Sequence, residues 1–220
     1  MNITEKIKVT NEDNMELMAR YPDNHFDLAI VDPPYGIGID KDINIKKPDR
    51  KSTWNKKPKY TPKNWDSSAP EKQYFIELFR VSKNQIVWGG NYFTNFLTPS
   101  KCWIFWDKMF DKTFNFSHGE LAWTSFSSQL KMFKKSSKSE TNGGKNRIHP
   151  TQKPVKLYEW LLMNYAKEND KILDTHFGSG SIGIACHRLG FDLTACELDK
   201  EYFDASIKRI KQQIAQQRLF

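Results

Sequence analysis

Phe26-Asp27-Leu28-Ala29-Ile30-Val31 is an apolar run of strand length, and it ends at Asp32-Pro33-Pro34-Tyr35. Two successive prolines remove two backbone donors, so no hydrogen-bonded ladder passes through them and the chain must leave the sheet there. In an open α/β sheet, the carboxyl edge is where ligands bind. The turn therefore sets a carboxylate, a pair of carbonyls and a flat ring at such an edge. That corner suits a planar amine, such as the exocyclic amino group of a nucleobase. Four residues alone describe a plain surface turn equally well, so the reading depends on the rest of the chain.

The rest alternates short β-like runs with helical stretches, the pattern of a layered α/β domain. Strands are predicted over 7–10, 26–31, 85–88, 102–106, 120–126, 172–175 and 192–196. Helices are predicted over 13–21, 70–81, 154–167, 181–189 and 200–216, with Pro154 in a first turn and Gly190 as a stop. These elements predict a seven-stranded, mostly parallel sheet with helices on both faces. A chain of 220 residues supports one such domain, taken as 1–220.

Charge is concentrated. Between Lys41 and Asn64 nine Lys/Arg stand against two Asp, and between Lys131 and Lys153 seven stand against one Glu. With +8 overall, the remainder is mildly acidic. Two basic segments on an acidic body predict a polyanion-binding face, and segments 41–64 and 127–148 are the candidate nucleic-acid contacts. The first carries Pro48, Pro58 and Pro62 and the aromatics Trp54 and Tyr60, and reads as a long loop. Cys102, Cys186 and Cys196 lack zinc-ligand spacing, so no metal is expected. No apolar run approaches membrane-span length, and residues 1–8 hold charges without an apolar signal core. A cytoplasmic location is expected.

A second signature runs from Lys171 through Asp174-Thr175-His176-Phe177-Gly178-Ser179-Gly180 into a helix. Gly178 and Gly180 let the backbone turn tightly and approach a ligand. The following helix offers free amides to an anionic group. Glu197, after the next strand, is spaced to accept hydrogen bonds from ribose hydroxyls. No Lys-Ser/Thr follows the glycines, which disfavours a phosphate-binding NTPase loop.

In this order and spacing, the chain resembles S-adenosylmethionine-dependent DNA amino-methyltransferases, of the subgroup in which Asp-Pro-Pro-Tyr precedes the glycine turn. His149-Pro150-Thr151-Gln152-Lys153-Pro154 is similar to the segment that opens the helix before that turn, and Ile7 to Asp13 to the segment whose acid reaches the cofactor adenine. The resemblance implies a Rossmann-like methyltransferase fold, S-adenosylmethionine as cofactor, and double-stranded DNA as partner with the target base flipped out. It allows a homodimer and a restriction-modification setting. It makes Asp32, Pro33, Pro34 and Tyr35 catalytic, Tyr35 stacking on the base. It assigns cofactor contacts to Asp13, Asp32, Asp174, His176, Phe177, Gly178, Ser179, Gly180 and Glu197, and sets Thr151 and Lys153 near the methionine carboxylate. Tyr35 fits adenine-modifying members; the cytosine amino group and a silent cofactor- or DNA-binding relative are the alternatives. His176 departs from the family, which has an aromatic there.

Overall fold

The computed structural model describes residues 1–39, 63–110, 117–141 and 146–217. Among them are eight strands: β1 Ile7–Thr10, β2 Phe26–Val31, β3 Ser82–Trp88, β4 Trp103–Asp107, β5 Gly119–Thr124, β6 Lys131–Lys134, β7 Lys171–Asp174 and β8 Asp192–Cys196. They form one sheet in the order β1-β8-β7-β2-β3-β5-β4-β6. Only β5 runs antiparallel to its neighbours β3 and β4. Every other strand therefore ends at the same edge, and β5 begins there.

Five α-helices are described: α1 Asn14–Ala19, α2 Lys72–Val81, α3 Val155–Tyr165, α4 Ser181–Leu189 and α5 Lys200–Gln217. They cover both faces, because the strands are apolar on both. In β2, Leu28 and Ile30 face the core built with Leu157, Leu161, Ile182 and Ile207 of α3, α4 and α5. Ala29 and Val31 face the opposite core with Leu17 of α1 and Phe75 and Leu78 of α2. Continuous burial of this kind is what parallel strands require.

The expected seven strands become eight. The addition is β6, in a Ser/Lys-rich segment read from sequence as loop. Lys131-Met132-Phe133-Lys134 does not alternate polar with apolar, and four residues are too short a signal for periodicity to resolve. β6 pairs parallel with β4 at the sheet edge, and Phe133 packs against Trp160 of α3 at 5.4 Å. Part of the 127–148 segment is thus folded into the domain. The Glu140 carboxylate accepts from the amide of Val155 at 2.6 Å, holding the amino end of α3. Pro154 lies just outside α3 as its N-cap, not within the first turn. The Lys41–Pro62 part of the first basic segment, with Trp54 and Tyr60, lies outside the described residues.

Candidate active site

Sheet register brings the two signatures together. β2 pairs with β7, Leu28 opposite Ile172 and Ala29 opposite Leu173, so Asp32 leaves β2 beside the residues that leave β7. Strand order also reverses here, with β3 beyond β2 on one side and β8 beyond β7 on the other. Crevices at such switch points hold ligands in doubly wound folds. A cleft of about 730 Å³ opens there, lined by the Asp32–Tyr35 corner, by His176 to Ser179 with Glu197, and by the segment from Lys63 to Glu71. That volume lies within the range of small-molecule sites.

The proline corner is fixed by a carboxylate the sequence reading did not single out. Asp66, buried, accepts from the amides of Tyr35 at 2.7 Å, Gly36 at 2.9 Å and Ile39 at 2.9 Å. One side chain thus supplies partners for the donors that follow the prolines. The Tyr35 ring lies over Gly89, where a Cβ would come within 2.2 Å of it, and stacks on Tyr92 at 5.0 Å. The Tyr35 hydroxyl donates to Asp32 Oδ1 at 2.8 Å.

Asp32 Oδ2 accepts from Lys153 Nζ at 2.5 Å. Lys153 is 3% exposed and also reaches Glu120 Oε2 at 2.9 Å, while Lys108 holds Glu120 Oε1 at 2.6 Å. Burial and the nearby Glu120 charge raise the Asp32 pKa, and the Lys153 ammonium opposes them without overcoming them. Burial works against ionisation of Glu120 too, but Lys153 and Lys108 together bring its pKa down to about 2. Burial would lower the Lys153 pKa, yet its two carboxylates raise it. Lys153, expected near a methionine carboxylate, lines the cleft and pairs with both Asp32 and Glu120. Thr151 lines the cleft and has its hydroxyl 3.1 Å from His149 Nδ1.

The glycine turn is held by the Glu197 carboxylate. Glu197 Oε2 accepts from the Gly178 amide at 2.7 Å, and Oε1 from the Asp199 amide at 2.9 Å. Gly178 has φ +50°, and a Cβ there would meet nothing closer than 3.8 Å, so the backbone faces open cleft. Gly180 differs: its φ is +71°, and a Cβ would come 3.0 Å from Ile210. Close packing on α5 accounts for that glycine, which does not line the cleft.

Two more expected contacts lie elsewhere. Asp13 is the N-cap of α1, its carboxylate accepting from the Met15 amide at 2.8 Å, while its neighbours Glu12 and Asn14 line the cleft. Asp174 is buried beneath the floor, where burial drives its pKa up to about 8 although the His176 amide donates to it at 2.9 Å. His176 does line the cleft. Its Nε2 lies 3.1 Å from the Asn14 amide nitrogen and its Nδ1 2.9 Å from the Thr175 hydroxyl, and burial lowers its pKa to about 3. A neutral ring held from both sides replaces the family's aromatic wall. Across the cleft, His149 packs between Trp65 at 5.2 Å and Tyr202 at 4.4 Å, and Lys63 pairs with Asp199 and Glu201, each at 2.7 Å.

A doubly wound α/β sheet with a ligand cleft at its switch point defines a class of cofactor-binding protein, and comparison with known proteins narrows it. The family model described as DNA methylase, of N6/N4 methyltransferases, matches residues 45–208, and the chain belongs to that family. It is 42% identical over 73 residues to the type II methyltransferase M2.LlaDCHI of Lactococcus lactis subsp. cremoris, and 41% over 63 residues to M2.DpnII of Streptococcus pneumoniae. Those matches take in 33% and 29% of this chain and 26% and 24% of the relatives, so the chain covers about a quarter of each. Similar solved folds include an M1.HpyAVI–SAM complex, with TM-score 0.59, 19% identity and coverage of 92% of this chain and 99% of that one. Another is the cytosine-N4-specific PvuII DNA methyltransferase, with TM-score 0.58, 14% identity and coverage of 94% and 92%.

Proposed function

We propose that this chain transfers the methyl group of S-adenosylmethionine to the exocyclic amino group of adenine in double-stranded DNA. One observation carries the reading: the Asp32–Tyr35 corner and the Gly178 turn line the same cleft. Bound S-adenosylmethionine supplies a sulfonium methyl that is already activated, so the protein's contribution is orientation and electrostatics.

The residues present fit that cofactor. Glu197 spends one hydrogen bond per oxygen on backbone amides; a carboxylate has about four acceptor positions, which leaves capacity for both ribose hydroxyls. Gly178 leaves the backbone open to close approach. On the other wall, Asp32 Oδ1 and Oδ2 each take one donor and keep a lone pair for the target amine. Together with the Pro33 carbonyl, Asp32 would draw both amino hydrogens, turn the nitrogen toward tetrahedral geometry and aim its lone pair at the methyl. The Asp32 charge offsets the positive charge developing on nitrogen. The base reaches the cleft by leaving the duplex stack, at a cost of about a few kcal/mol. Family membership supports DNA as the substrate, and the tyrosine at position 35 supports adenine.

Asp32 and a backbone carbonyl bind any flat amine alike, so the cytosine amino group is the second reading. Mass spectrometry of nucleosides from duplex DNA incubated with protein and cofactor separates the two. N6-methyladenine is expected. N4-methylcytosine in its place overturns the adenine assignment, and no methylated base overturns the transfer itself.

A further inference from the structure

The Lys153 ammonium has two carboxylate partners where one would balance its charge. Asp32 lies on one side at 2.5 Å and Glu120 on the other at 2.9 Å, with Lys108 behind Glu120 at 2.6 Å. The four groups alternate in sign. Glu120 comes from β5, the one reversed strand, so its position at the start of that strand puts it at the ligand edge. We infer that Glu120 is a positioning residue: it shares the charge of the Lys153 ammonium with Asp32, so that Asp32, which Lys153 favours as the anion, keeps the accepting capacity an incoming amino group needs. The inference rests on the amine-methylation reading above.

Consider Lys153 with Asp32 as its sole partner. Without a second anion the whole charge of the buried ammonium would fall on Asp32, and a carboxylate so neutralised is a weaker acceptor for a third group. Removing Lys153 instead would leave Asp32 buried beside Glu120 with like charges facing one another, a condition that favours protonation. Sharing the ammonium avoids both outcomes. Lys108 keeps Glu120 charged, so the sharing persists across the neutral range. Asp32 is also faced by the Tyr35 hydroxyl from the corner, by Asp174 at the end of β7 and by Tyr158 of α3. Neither phenol brings a charge near neutrality. Asp174, pushed up to about 8 by burial, is mostly protonated there.

A role limited to neutralising a buried lysine and a role in dividing its charge give different titrations. The test is carboxyl-carbon NMR titration of Asp32 in the protein without cofactor or DNA, for wild type, Glu120→Gln and Lys153→Gln, paired with kcat and KM across pH. Glu120→Gln is expected to lower the Asp32 pKa, because a repelling charge goes and Lys153 settles fully on Asp32. Lys153→Gln is expected to raise it. With Glu120→Gln, kcat should fall by about 10- to 100-fold, the cofactor KM should hold, and the acid limb of kcat should move to lower pH. An Asp32 titration that stays put or rises in Glu120→Gln overturns the inference, as does a change confined to KM. Should that variant fail to fold, the wild-type protein decides. Glu120 titrating near 2 with Asp32 above its ordinary value supports the division, and the reverse order refutes it. Wild type that shows the expected titrations but methylates no base sinks the methylation reading and leaves the charge division standing.

Discussion

The glycine turn at Gly178 and the proline corner at Tyr35 face one cleft, and a carboxylate from another element gathers amides of each, but the charges around them differ. The turn relies on one such group: Gly178 takes a positive φ, and the Glu197 carboxylate accepts from the amides of Gly178 and Asp199. The corner has no donors in its two prolines and takes its rigidity from side chains brought from elsewhere, namely Asp66, Lys153, Glu120 and Gly89 with its missing Cβ. The turn is one sequence motif joined by a single acid from the end of the next strand, whereas the buried Asp32 of the corner draws its charged surroundings from several elements.

If this division of labour is right, damage to the two walls should separate. Asp32→Ala should cut methyl transfer by roughly a thousandfold or more, in line with removing a principal electrostatic group, while calorimetry finds cofactor affinity unchanged. A parallel loss of affinity would mean the walls are not independent. Asp66→Ala strands three amides of the corner at about 1 kcal/mol each, so stability should fall by about 3 kcal/mol and the melting temperature by roughly 6–12 °C. Its kcat should fall with it, again at constant cofactor affinity. Glu197→Ala should act on the other wall, weakening cofactor binding by about 2 kcal/mol, or some thirtyfold, with a smaller effect on kcat at saturating cofactor.

The smallest effect on cofactor affinity and transfer is expected at Asp174, beneath both walls, where the change falls on stability instead. Its folded pKa of about 8 lies above the ordinary carboxylate value, so the folded protein binds this proton more tightly than the unfolded chain. The stability it contributes is complete below about pH 4 and is lost as pH rises toward 8. Asp174→Asn keeps an acceptor for the His176 amide and removes the titration. Melting temperatures of variant and wild type should converge in acid and separate, variant higher, as pH rises to 8. A constant offset would contradict the assigned burial.

Much of this molecule was legible in the sequence, and the reason differs by element. Strands over 7–10, 26–31 and 192–196 and the helix over 181–189 match the structure; the apolar run at 26–31 stops at Pro33-Pro34 and the helix at Gly190. β6 escaped because an edge strand of four residues gains its stability from β4, not from its own pattern. Within the cleft, Asp32 to Tyr35, His176 to Ser179 and Glu197 lie in contiguous motifs and could be named. Asp66 and Glu120 could not. Asp66 lies 30 positions from Gly36, whose amide it accepts, and Glu120 reaches the ligand edge only because β5 is reversed, which no local pattern announces. Gly180, Asp13 and Lys153 show what a motif leaves unsaid: Gly180 packs on α5, Asp13 caps α1, and Lys153 pairs with Asp32 and Glu120.

If the two walls engage donor and acceptor at once, a single molecule should bind both. An adenine joined through its amino nitrogen to the sulfur-bearing chain of the cofactor would span both, and its affinity can be measured by calorimetry against that of the demethylated cofactor alone. Joined binding at effective concentrations near millimolar should make the conjugate about a hundredfold tighter, with the gain removed by Asp32→Ala and the base affinity lowered by Glu197→Ala. A conjugate that binds no better than the demethylated cofactor, or that is indifferent to Asp32, would contradict a shared cleft.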